Sequence, residues 1–132
     1  FGRSFLFTAS LPPASVAAAS AALDVLLEEP GLVTRLQANV AHYRDALRKQ
    51  GFDVGKDPTP IVPIVVKEDG LALRLWRDLL DQGLYASAAR PPAVPRGQAL
   101  LRTSVMATHS TEQLDRAASI LGAAARKLGL FG

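Results

Sequence analysis

Residues 83–102 read Gly-Leu-Tyr-Ala-Ser-Ala-Ala-Arg-Pro-Pro-Ala-Val-Pro-Arg-Gly-Gln-Ala-Leu-Leu-Arg, and no other stretch restricts the chain so tightly. Gly83 closes a helical pattern, and the segment runs into a strand pattern, Leu100 to Ala107. Between them lie Pro91, Pro92, Pro95 and Gly97. Proline fixes φ and removes a backbone donor, so this turn has few conformations to lose on folding. Arg90 stands at its start and Arg102 at its end, on the same strand face as Leu100 and Ser104. Within the apolar run 100–106 an arginine is costly to bury unless a carboxylate or phosphate pairs with it. The two arginines are therefore expected to form one wall of a small-anion site, with Tyr85 and Ser87 as further candidates for its lining. The competing readings are a structural salt bridge for Arg102 and a turn-stabilising hydrogen bond for Arg90.

The rest of the chain supplies a scaffold. Pro12 and Pro13 suit the first turn of a helix, which runs Ala-rich to Glu29 and is closed by Pro30-Gly31. That pair is the expected boundary between a linking helix, residues 1–30, and a compact domain, residues 31–132. A second helix covers about Leu32 to Gln50, with Leu32, Leu36, Val40, Tyr43 and Leu47 on one face. Arg44, Asn39 and Asp45 are placed mostly on the polar face, and His42 is expected in solvent. Phe5–Thr8, Phe52–Val54 and Leu84–Ala86 are candidate short strands. Ile61–Val66 is a β-branched strand that Pro63 consigns to an edge or a bulge. Asp69 is a candidate N-cap for a third helix to Gln82, whose core face is Leu71, Leu75, Trp76, Leu79 and Leu80. Ser110 and Gln113 form a capping-box pattern for the last helix. These alternations predict an α+β fold, helices packed on one side of a small, mostly antiparallel sheet.

Composition removes several kinds of chemistry. The chain has 132 residues and no cysteine, which excludes disulfides, thiolate metal ligands and a cysteine nucleophile. No metal site is expected. No apolar run approaches the ~20 residues of a membrane span, so at most peripheral membrane contact is expected. Phe1-Gly2-Arg3-Ser4 lacks the basic-then-apolar order of a secretory signal, and a cytoplasmic location is expected. A start at Phe rather than Met suggests a piece of a longer protein. The net charge of +3 comes without a Lys/Arg stripe or aromatic interleaving, so a nucleic-acid partner is not expected. There is no Gly-rich phosphate loop, no Gly-x-Ser-x-Gly elbow and no nucleophile beside a base. His109, between the last strand and the Ser110 cap, is assigned a structural hydrogen-bonding role. By its residues alone the chain is an anion-binding domain, with a basic interaction module as the remote alternative.

Two motifs resemble those of the α-oxoamine synthases, a family of fold-type I pyridoxal-phosphate (PLP) enzymes. They are Phe5-Leu6-Phe7-Thr8-Ala9-Ser10-Leu11-Pro12-Pro13, and Arg90-Pro91-Pro92-Ala93-Val94-Pro95 followed by Gly97, Leu101-Arg102-Thr103-Ser104 and Ala107-Thr108-His109. The resemblance covers essentially the whole chain. It implies the carboxy-terminal domain of such an enzyme, preceded by its long linker helix. The implied reaction is condensation of an amino acid with an acyl-CoA and loss of carbon dioxide in a homodimer. Gly83-Leu84-Tyr85 and Leu101–Ser104 are most similar to the bacterial serine palmitoyltransferase branch, implying L-serine as substrate and a 3-ketosphinganine product. The alternatives are the 8-amino-7-oxononanoate synthase and glycine acyltransferase branches, or a non-catalytic carboxylate-binding domain. By the same resemblance, Arg90, Arg102 and Tyr85 handle substrate, and Thr8 reaches the cofactor phosphate of the partner subunit. The family's Schiff-base lysine lies upstream of the first motif, so no catalytic residue is assigned here, and PLP is expected to be held mainly by residues outside the chain.

Overall fold

A computed structural model describes Gly2, Ala9 and residues 11–131. Thr8 and the candidate strand Phe5–Thr8 lie outside the described residues. The chain divides into two compact units, residues 1–33 and 34–132. The first holds helix α1, Pro13–Glu28, which starts just after Pro12 with proline at its first position and has no buried residue. Its apolar residues Leu23, Val25, Leu26 and Leu27 are all exposed.

Helix α2, Gly31–Lys49, leads into the second unit. There follow β1 (Ile61–Lys67), α3 (Asp69–Asp81), β2 (Ser87–Ala89), β3 (Ala99–Ser104) and α4 (Thr111–Lys127). The three strands form one antiparallel sheet in the order β1-β3-β2. Pro63 thus lies on an edge strand, where a missing N–H is tolerated. In β1, Val62, Ile64 and Val66 are buried, and in β3, Ala99, Leu101 and Thr103. This period of two turns one sheet face toward Leu75 and Leu79 of α3, Leu114 and Leu121 of α4, and Val40 and Leu47 of α2 in a single core. Each leucine buried there contributes about 1.5–3 kcal/mol. The other face keeps Ile61, Val65, Arg102 and Ser104 exposed. The α+β expectation, with helices on one side of a small antiparallel sheet, holds.

Several local expectations shift. The strand expected at Leu84–Ala86 forms three residues later, at Ser87–Ala89, because Ser87 to Ala89 are the residues that find partners, opposite Arg102 to Leu100. Strand β3 stops at Ser104 rather than Ala107, and its edge partner β1 begins opposite that residue, at Ile61. Phe52 and Val54 are buried but not in a strand. Glu68, not Asp69, occupies the N-cap position of α3, and no side chain caps that end. Trp76 is half-buried against the core, and Leu80 is exposed. Arg44 is the largest departure. It is buried at 4% exposure and donates to the carbonyl oxygens of Val54, Thr59 (3.4 Å) and Ile61 (3.5 Å). Its guanidinium closes the loop between α2 and β1, which helical periodicity could not reveal. His42 is half-buried, with Nε2 2.7 Å from Asp115 Oδ1 of α4.

Candidate functional site

An acid-free groove of about 570 Å³ lies in the second unit, and its lining includes Tyr85, Ser87, Arg102, Ser104, His109 and Arg116. Three elements bring these residues together. Gly83 takes a left-handed φ of 79°, a conformation open to glycine at little cost, and turns the chain out of α3. The segment then passes Tyr85, 75% exposed, and enters β2, where Ser87 pairs directly with Arg102 of β3. Alternation along β3 puts Leu101 and Thr103 into the core and leaves Arg102 exposed between them. Arg102 is thus not buried within the apolar run that surrounds it in sequence. Period-two geometry sends it to the uncovered sheet face, so it incurs little desolvation cost and needs no structural counter-ion. Among the described residues it has neither a salt bridge nor a side-chain hydrogen bond.

The far end of β3 is built with more bonds. Met106 N–H donates to His109 Nδ1 at 3.1 Å. Asn39 of α2 donates through Nδ2 to the carbonyl oxygens of Met106 (3.0 Å) and His109 (2.9 Å). Ser110 and Gln113 complete the capping box of α4, with Ser110 N–H donating to Gln113 Oε1 and Gln113 N–H to Ser110 Oγ. The Ser110 hydroxyl, followed by a backbone hydrogen bond, holds the Glu112 carboxyl below its ordinary range. Beneath the groove, burial pushes the Tyr43 phenol up, partly offset by its hydrogen bond with Thr103. Thr103 Oγ1 itself donates to the Val62 carbonyl at 2.8 Å. Because His109 Nδ1 accepts a backbone N–H, the neutral ring carries its proton on Nε2. The structural role expected for His109 is met, and the same residue also lines the groove.

The structure thus gathers Arg102, Tyr85 and Ser87 in one groove but does not bring Arg90 to it. Arg90 is exposed at the end of β2, its carbonyl accepting from Ala93 N–H at 2.8 Å and Val94 N–H at 3.4 Å. The following Pro91–Pro92 peptide is cis. Sequence reasoning missed Arg116, whose surface position on a helix resembles any solvated cation, and Asn39, whose partners lie about seventy residues away. Among the described residues that line it the groove holds no lysine and no carboxylate. It therefore offers neither an amine for an aldehyde nor an acid for a pyridine nitrogen, and the described residues do not fit PLP itself. What the lining does hold is two arginines, Arg102 and Arg116. Arginine offers a planar, permanently charged fork whose geometry matches a carboxylate. Among the described residues there is no cluster of three potential metal ligands, and no helix is long and apolar enough to cross a membrane.

Residues 1–121 match the family described as Aminotransferase class I and II. The 8-amino-7-oxononanoate synthase of Symbiobacterium thermophilum is 40% identical over 130 residues, 98% of this chain and 33% of that enzyme. That of Geobacter sulfurreducens is 44% identical over 130 residues, 97% of this chain and 33% of that enzyme. Among solved structures, a serine palmitoyltransferase variant from S. paucimobilis with bound PLP and myriocin superposes with a TM-score of 0.84 at 37% identity. It is matched over 93% of this chain and 31% of that one. The chain spans about a third of the length of the relatives it matches.

Proposed function

We propose that this chain, which belongs to the aminotransferase class I and II family and within it to the PLP-dependent α-oxoamine synthases, supplies the substrate-carboxylate wall of a decarboxylating acyltransferase. The observation that carries this reading is the exposed Arg102 opposite Ser87, unpaired among the described residues, in a groove whose described lining has no carboxylate. Arg102 holds the carboxylate of a small amino acid against the open sheet face. That grip fixes the orientation of the bonds at the amino acid's α-carbon, a positioning effect realised before any bond is broken. Tyr85 and Ser87 shape the rim beside it. Arg90, on its proline-bound turn outside the groove, reaches the substrate only by moving. The cofactor chemistry, and the phosphate-binding role proposed for Thr8, belong to the assembled homodimer, in which the remainder of the protein holds PLP. The reaction joins the amino acid's α-carbon to the acyl group of an acyl-CoA and releases CoA and carbon dioxide.

The amino acid distinguishes two branches. The sequence relatives favour 8-amino-7-oxononanoate synthesis. The product in that name bears its amine on a carbon between a methyl group and a ketone, which is alanine without its carboxylate. Structural likeness to serine palmitoyltransferase favours L-serine and a long-chain acyl group, as the Leu101–Ser104 resemblance also implies. The test uses the full-length protein with PLP, measuring CoA release from acyl-CoA donors in the presence of L-alanine, L-serine or glycine. Turnover with alanine and heptanedioyl-CoA assigns the first branch, and turnover with serine and palmitoyl-CoA the second. No CoA release with any pair would overturn the acyltransferase reading.

A further inference from the structure

The groove contains a second unpaired arginine. Arg116 lies on the second turn of α4, exposed, with no salt bridge or side-chain hydrogen bond among the described residues. Arg102 comes from the sheet and Arg116 from the helix, and His109 lies in the turn that joins those two elements. Arg102 and Arg116 are both among the described residues lining about 570 Å³, and that lining holds no aspartate or glutamate. Like charges gathered without a counter-ion repel one another, and an anion relieves the repulsion at each. One carboxylate engages one arginine fork and leaves the other unused.

We infer that the groove holds two anionic groups at once, and that Arg116 is the specificity-determining residue for the second. This rests on the acyltransferase reading, in which Arg102 takes the amino acid carboxylate, so the second anion belongs to the acyl donor. Its source is either a carboxylate at the far end of the acyl chain or a phosphate of the CoA carrier. His109 also lines the groove. Its Nδ1 is occupied by Met106 N–H, so Nε2 is the ring nitrogen left to donate. Asn39 ties this turn to α2 through two carbonyls, which holds the base of the Arg116 wall in place.

The experiment measures binding to the full-length protein by titration calorimetry with heptanedioate, heptanoate and adenosine 3′,5′-bisphosphate. Wild type is compared with Arg116→Gln and Arg116→Lys, and melting temperatures verify the fold. Arg116 is exposed and makes no side-chain bond among the described residues, so both variants are expected to melt with wild type. Heptanedioate should bind about ten-fold or more tighter than heptanoate, the worth of one charge-assisted contact. Arg116→Gln should abolish that advantage and Arg116→Lys retain part of it, assigning the second anion as a chain-end carboxylate. If instead only bisphosphate binding weakens in Arg116→Gln, the second anion is the carrier phosphate. If neither ligand responds to Arg116→Gln, the inference is overturned. Arg116-dependent binding together with no CoA release from any substrate pair would overturn the acyltransferase reading and leave the two-anion groove standing.

Discussion

Replacing Arg102 by glutamine in the full-length protein separates function from fold. Arg102 is exposed, points away from the core face of β3, and has no partner among the described residues. Substitutions at such positions change stability by only about ±0.5 kcal/mol. Glutamine keeps the strand and much of the side-chain length but removes the charge. Hydrogen bonds to charged groups are worth about 1.5–3 kcal/mol, and every ~1.4 kcal/mol is ten-fold in affinity. The KM for the amino acid should therefore rise by about 10- to 150-fold while the melting temperature stays nearly constant. Arg102→Lys retains the charge without the planar fork and should fall between. The assay is initial-rate CoA release at saturating acyl donor, paired with thermal unfolding monitored by circular dichroism. An unchanged amino acid KM in Arg102→Gln would refute the carboxylate assignment. Loss of folding would show instead that Arg102 is a structural residue.

Arg44→Met should cost about 1.5–3 kcal/mol in urea unfolding, because the charge-assisted bond to the Val54 carbonyl is lost within a buried site. Limited proteolysis should then cleave first between residues 54 and 61, the loop that Arg44 closes. Ser110→Ala removes the side-chain half of the α4 capping box and should cost about 1 kcal/mol, read as a lower urea midpoint with an unchanged slope. Tyr43 confers an alkaline sensitivity. Its native pKa lies above the ordinary 10.0, so above that pH the unfolded chain loses its proton first. The stability it contributes is complete below about pH 10 and is lost as pH rises through the raised native value. Tyr43→Phe should flatten the fall in stability above pH 10 in an alkaline denaturation series.

Much of the architecture was legible because its causes are local. Proline at the start of α1, the left-handed glycine after α3, the Ser110–Gln113 capping box and the apolar spacing of α2 and α4 all act over a few residues. They mark where elements begin and end whatever surrounds them. Proline in β1 likewise implied an edge strand, since a central strand would lose a ladder bond. The pairing of motifs around Arg90 and Arg102 was enough to identify the family. Other features depended on partners distant in sequence. Thr103 meets Val62 across 41 residues and Asn39 meets His109 across 70, and helix periodicity carries no information about either contact. Strand β2 could be located only through its pairing with β3, and Arg44 is buried because two loop carbonyls and that of Ile61, at the start of β1, converge on it. The groove depends on the same long-range geometry. Alternation in β3 sent Arg102 outward and packing of α4 put Arg116 beside the same space, whereas Arg90, closer to Arg102 in sequence, was left outside.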